Sequence, residues 1–196
     1  MNDRCLFESE GRAENGEPFM RMHKTYGGFY YATRAGHDSV AFILKHKNGM
    51  IGLLRCLHEP LAKWDVRAFT GSLDVPPGVS AYEVVVEEAR EESGYRVTYK
   101  ELEAVGTYEV GHMTDERVLL YVIHVDDSMA GKPTTQDPSE QRFEVVWDWG
   151  AKHQTSDWKA ILAMEHLWRK ERQGMVLCER VDGQHGWGYR PVDGNE

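Results

Sequence analysis

Apolar and polar positions alternate in blocks along this chain. Ser39–Leu44 (SVAFIL) reads as a strand. Lys47-Asn48-Gly49 follows it, and Asn-Gly is a hairpin-turn signal. Met50–Leu57 returns as the second strand. Upstream, the aromatic segment from Met20 to Tyr31 (MRMHKTYGGFYY) predicts one or two strands. Residues 1–20 are polar and mixed, either loose or an added edge. The stretch from His58 to Gly78 reads as turn-rich, and Pro76-Pro77-Gly78 forbids regular structure.

Next comes the strongest helix signal. Ser80 sits three residues before Glu83 as a capping box, Ala81–Ser93 forms the body, and Gly94 stands as the glycine beyond the C-cap. Glu103–Val110 and Arg117–Val125 read as strands, residues 126–139 as a loop, and Phe143–Trp149 as a further strand. Trp158–Arg172 is an amphipathic helix ended by Gly174. The glycine-rich tail beyond it either docks as a strand or stays mobile. The order strands, helix, strands, helix predicts a mixed α/β layout with too few βαβ units for a doubly wound sheet.

Composition narrows the class. The 196 residues are 41% hydrophobic and 28% charged, an ordinary globular balance. A chain of this size buries about 70% of its unfolded surface, enough for a core without disulfides. No apolar run is long enough to span a membrane, and the first residues have no signal-peptide core. Three scattered cysteines without a C-x-x-C predict neither a disulfide scaffold nor a cysteine zinc site, so a cytoplasmic home is expected. With 23 basic and 32 acidic residues the formal charge is −9, which argues against a general nucleic-acid binder.

Part of that charge is concentrated. At 100° per residue, Glu88, Glu91 and Glu92 fall within roughly one narrow helix face, bordering the apolar side rather than opposing it. Like charges at this spacing repel, and a divalent cation removes the cost. Hard oxygen ligands in this number suit Mg²⁺ or Mn²⁺, which bind phosphate oxygens in turn. The competing reading is a solvated glutamate-rich helix.

The run from Gly78 to Tyr95, with Glu88, Ala89, Glu91, Glu92, Gly94 and Tyr95 in register, resembles the second half of the Nudix box. Gly36-His37-Asp38-Ser39-Val40, Thr70-Gly71-Ser72-Leu73-Asp74, Gly106-Thr107-Tyr108 and Phe143-Glu144-Val145-Val146 extend the likeness toward the ADP-ribose and UDP-sugar pyrophosphatase branch. The resemblance implies a Nudix fold, an α/β/α sandwich with a mixed sheet, over residues 20–173. A polar segment (1–19) would precede it and a tail (174–196) would follow. It further implies a Mg- or Mn-dependent hydrolase that splits the diphosphate of a small-molecule nucleotide sugar, and a homodimer built with help from N-terminal strands. The sequence also departs from the family pattern. Glu87 replaces the arginine before the first catalytic glutamate, Val79 replaces the glutamate after the loop glycine, and His58-Glu59-Pro60 stands where an arginine precedes a proline. Arg90 falls beside Glu83 and Glu87 on the wheel, compensating the outer side only.

The resemblance assigns metal binding to Glu88, Glu91, Glu92 and the Thr70 carbonyl. A further carboxylate must orient or deprotonate water. Glu140, in the loop before the late strand, is preferred, with Glu144 and Glu116 as alternatives and Glu91 already in the metal set. For substrate, Tyr31 among Tyr30, Trp64 and Tyr108 could stack a base. Arg55, Arg67 and Arg117 could contact phosphates, and His112 lies in a loop facing the expected site. Two other readings stay open: a Nudix enzyme for another diphosphate, such as a dinucleotide, a dinucleoside polyphosphate or a capped RNA, and a catalytically dead nucleotide-binding module.

Overall fold

The computed structural model describes residues 3–12, 16–34, 38–58, 62–76, 78–111, 113–135, 143–149, 154–172, 175–179 and 187–191. A seven-stranded mixed sheet forms its centre. It contains β4 (Ser39–His46), β5 (Ile51–His58), β6 (Lys63–Arg67), β7 (Phe69–Ser72), β8 (Leu102–Glu109), β9 (Arg117–Val125) and β10 (Glu144–Asp148). The main path runs β10-β5-β4-β9-β8, with β6 on β5 and β7 on β4. β4 and β9 are parallel over eight residue pairs, from Ser39↔Val118 to His46↔Val125.

Side-chain alternation explains why both central strands are almost wholly apolar. Val40, Phe42 and Leu44 of β4 pack with Tyr121, Ile123 and Val125 of β9 against helix α1 (Ala81–Glu88), which contributes Val84 and Val85. Ala41 and Ile43 pack with Val118, Leu120 and Val122 against helix α2 (Trp158–Glu171), through Ala160, Ala163, Met164 and Leu167. A sheet covered on both faces has no polar side to offer. The result is the expected α/β/α sandwich, with one helix on each face.

Two small sheets flank it. β1 (Arg4–Glu8), β2 (Met20–Lys24) and β3 (Tyr30–Arg34) form an antiparallel three-stranded sheet, so segment 1–19 supplies a strand that pairs with β2. Ala32 joins this sheet to the body, its N–H donating to the Met113 carbonyl at 2.8 Å. In the tail, β11 (Met175–Glu179) pairs with β12 (Trp187–Pro191). Among the described residues no helix is long and apolar enough to cross a membrane.

The turn after β4 follows the Asn-Gly signal, with Gly49 at φ 98°. The stretch from His58 to Gly78 differs from its turn-rich reading, because it holds β6 and β7. Both are short and draw their order from pairing, β6 on β5 over five residues and β7 on β4 over four. Isolated propensity does not report such strands.

Candidate functional site

The acidic helix starts as its sequence specifies. Ser80 Oγ accepts from the Glu83 N–H at 3.3 Å, and Glu83 Oε2 accepts from the Ser80 N–H at 2.6 Å. The helix does not stay α-helical to its end. Ala89–Ser93 is a π turn, closed by Gly94 in the left-handed region at φ 80°. Ser93 Oγ donates to the Ala89 carbonyl at 2.5 Å, a local bond that competes with the regular ladder and bends helices. A Cβ on Gly94 would lie 2.7 Å from the Gly131 carbonyl, so glycine meets both a backbone and a contact demand there.

Glu91 and Glu92 lie within this turn, and Glu88 immediately precedes it. Glu92 turns inward, only 5% exposed, and lines a cavity of about 450 Å³ at the N-terminal ends of β4 and β9. Glu88 and Glu91 line a neighbouring acidic cavity of about 460 Å³. Ser72 borders both. Gly71 lies beneath Glu88: a Cβ there would meet Glu88 Oε1 at 2.4 Å and Cγ at 2.5 Å. Only glycine lets this carboxylate rest on the backbone beside Thr70. Such a π turn inside an α-helix is frequently found at functional sites.

Arg90 departs from its predicted role. It binds Glu87, but its Nη2 also stands 3.3 Å from Glu91 Oε1, and its Nη1 donates to Thr134 Oγ1 at 3.0 Å. The guanidinium therefore compensates one carboxylate of the acidic set as well as the outer side. The Glu87 carboxyl is held below its ordinary range by the hydrogen bond from Arg90.

The 450 Å³ cavity brings together Thr70, Glu92 and Arg67 from the predicted set. It also holds Glu116, whose Oε1 accepts from Ser39 Oγ at 2.8 Å and lies 3.4 Å from Arg34 Nη1. Sequence reasoning missed Arg34, Ser39, Cys56 and Lys159, which complete the lining used here. Burial pushes the Cys56 thiol up, so a neutral thiol faces the cavity and a cysteine nucleophile is disfavoured. Lys159 carried a legible signal: a cation in the first turn of α2 opposes the helix dipole. Arg34 carried none.

Other predicted residues lie elsewhere. Tyr31 Oη donates to Asp3 Oδ2 at 2.9 Å and its ring stacks on His23, within the N-terminal sheet. Arg55 pairs with Glu144 at 3.5 Å and lies over the Trp64 ring. Both Arg55 and Glu144 are thus engaged with each other across β5 and β10, not at the cavity. Arg117 forks onto Asp38, with contacts of 3.1 and 2.7 Å. Tyr30 stands under Lys24, and Tyr108 packs edge-on to Trp158. Glu140 and His112 lie outside the described residues.

Among the described residues, no three His, Cys, Asp or Glu side chains gather tightly enough to hold a metal ion. Mg²⁺ does not require that, since it commonly binds through one or two carboxylates, several waters and substrate phosphates. The donor set here is hard oxygen throughout, and the Glu88 carboxylate packs directly on Gly71 beside the Thr70 backbone. The residues fit a Mg²⁺-like cation on these grounds.

No protein-family model matches the chain, and no curated protein matches its sequence. Solved structures do match, 237 chains in all, so the architecture recurs widely and does not itself name a substrate. One is the crystal structure of an ADP compounds hydrolase, 14% identical with a TM-score of 0.56, the match covering 89% of this chain and 96% of that one. At this identity the likeness shows the fold. A large mixed sheet between two helices is the Nudix-like architecture the sequence predicted.

Proposed function

We propose that this chain is a divalent-metal-dependent hydrolase of Nudix type, cleaving the diphosphate of a nucleoside diphosphate sugar to a nucleoside monophosphate and a sugar phosphate. One observation carries the reading: a single cavity holds a buried carboxylate, Glu92, together with the cations Arg67 and Lys159. A metal–phosphate ligand needs both signs at one place. The likeness in fold to an ADP compounds hydrolase agrees with it.

Glu88, Glu91, Glu92 and the Thr70 carbonyl are the residues that would hold the metal. A bound Mg²⁺ or Mn²⁺ supplies Lewis acidity at phosphate oxygens and lowers the pKa of water. Arg67 binds and orients the anion. Glu116 is the described carboxylate in the cavity able to take a proton from water; its hydrogen bond from Ser39 fixes its orientation. Glu140 remains the other candidate base. A homodimer formed through the N-terminal sheet belongs to the same reading.

A panel of ADP-ribose, ADP-glucose, UDP-glucose, NADH and a dinucleoside polyphosphate, assayed with Mg²⁺ and Mn²⁺, tests it. Turnover of the nucleotide sugars is expected, with Glu92→Gln down about 10²-fold or more, a loss on the scale of a removed electrostatic group. Absence of turnover of every compound, with wild type equal to Glu92→Gln, would sink the enzyme reading. Comparing Glu116→Gln with Glu140→Gln assigns the base.

A further inference from the structure

Lys159 stands where local helix chemistry would not put it. It is the second residue of α2, in the turn where the dipole disfavours cations. Its side chain is nonetheless folded inward, 13% exposed, and reaches the cavity wall. Asp157, the N-cap of α2, holds it: Asp157 Oδ1 lies 3.0 Å from Lys159 Nζ. The same carboxylate binds the strand segment that carries Arg67, because Asp157 Oδ2 accepts from the Ala68 N–H at 2.8 Å. Thr155 completes the stitch, its Oγ1 donating to the Val66 carbonyl at 2.5 Å. The residues on either side of Arg67 are therefore fastened to the entrance of α2. Two cations 92 positions apart in sequence arrive at one cavity as a mechanically coupled pair. Lys159 has Asp157, but among the described residues no carboxylate lies within ion-pair distance of Arg67. Arg67 is half-buried, lines the cavity and carries five N–H donors.

We propose that Lys159 and Arg67 form a phosphate clamp for the diphosphate of a nucleoside diphosphate compound, with Asp157 as the positioning residue for both. The ligand class rests on the function proposed above; the clamp itself rests on the geometry. Arg67 offers a planar fork to one phosphate group and Lys159 a point charge to the next. A second phosphate is what engages both, so a diphosphate is favoured over a monophosphate.

The test is calorimetric binding of ADP and AMP to the full chain in EDTA, separate from any hydrolysis assay. Wild type is expected to bind ADP at least tenfold more tightly than AMP. Lys159→Met and Arg67→Gln should each weaken ADP binding about tenfold, the size of a lost charged hydrogen bond. The double variant should lose less than the product of the two, and Lys159→Arg should recover most of the affinity. Thermal melting of each variant checks folding. Should Lys159→Met unfold because Asp157 is left alone, acetylation of wild-type lysines decides: ADP is expected to protect Lys159, read by mass spectrometry. Unchanged ADP affinity in both folded single variants, equal labelling of Lys159 with and without ADP, or no ADP binding by wild type would overturn the clamp. A protein that binds ADP through Lys159 yet hydrolyses none of the panel would overturn the hydrolase reading and leave the clamp standing.

Discussion

Gly71 shows how one missing Cβ can decide a site. Its backbone pairs with Val40 in the centre of the fold, so β7 cannot retreat from Glu88. Gly71→Ala places a methyl 2.4 Å from Glu88 Oε1, and the carboxylate must swing away. Because Glu88 is only half-buried, stability should change little while metal affinity falls about 10- to 100-fold, the usual scale for disturbing a ligand's support. A Mg²⁺ titration of activity, paired with a melting curve, reads both; an unaltered titration would remove Glu88 from the metal set. A second residue, Glu103, concerns stability alone. Burial pushes its carboxyl upward, but hydrogen bonds from Lys170, His124 and His166 together bring it down to about 2. Since the folded value lies below the ordinary glutamate value of about 4.5, this group stabilises the fold above that pH. The contribution drains away as pH falls from about 4.5 toward 2. Glu103→Gln should be less stable at neutral pH and show a shallower loss of melting temperature across that acid window. Parallel acid slopes in the two proteins would refute the assignment.

Helix α1 and its π turn show where sequence rules hold and where they stop. Ser80, Glu83 and Gly94 are legible because capping is settled within a few residues by backbone groups that need partners. Ser80→Ala should cost about 1 kcal/mol. For a chain of this length that lowers the melting temperature by about 2–4 °C. The cap lies at the far end of the helix from Glu92, so turnover per folded molecule should hold; a loss of activity larger than the loss of folded protein would show the cap shaping the site. The apolar runs of β4 and β9 are legible for a similar reason, since a strand buried on both faces has little choice of residue. The π turn itself is not legible, because a wheel with a fixed step carries no such term. Nor is the meeting of Lys159 with Arg67, which is built by Asp157 across 89 positions to Ala68. Arg55 and Arg67 looked equivalent as sequence. Pairing across β5 and β10 gave Arg55 the partner Glu144 and left Arg67 at the cavity.

At the scale of the whole molecule, exposed apolar side chains argue for association. The N-terminal sheet carries apolar side chains on its surface. Phe7, Phe19, Met20, Met22, Phe29 and Tyr30 are each more than two-fifths exposed there. Exposed apolar side chains gathered on one small sheet are the mark of an interaction surface. A second copy of the chain is the occupant the proposed function expects, and the sheet is tied to the central body, since Arg34 at the end of β3 reaches Glu116 and Ser72. Light scattering during size exclusion should therefore give twice the chain mass. Met22→Glu with Phe7→Glu should halve that mass without unfolding the central sheet, whose two helix-covered faces contain neither residue. If Arg34 is held in place by the dimer, the same double variant should also raise KM while the melting transition of the body persists. A wild-type chain that elutes as a monomer at micromolar concentration would refute the dimer, and a monomeric variant with unchanged KM would separate the interface from the cavity.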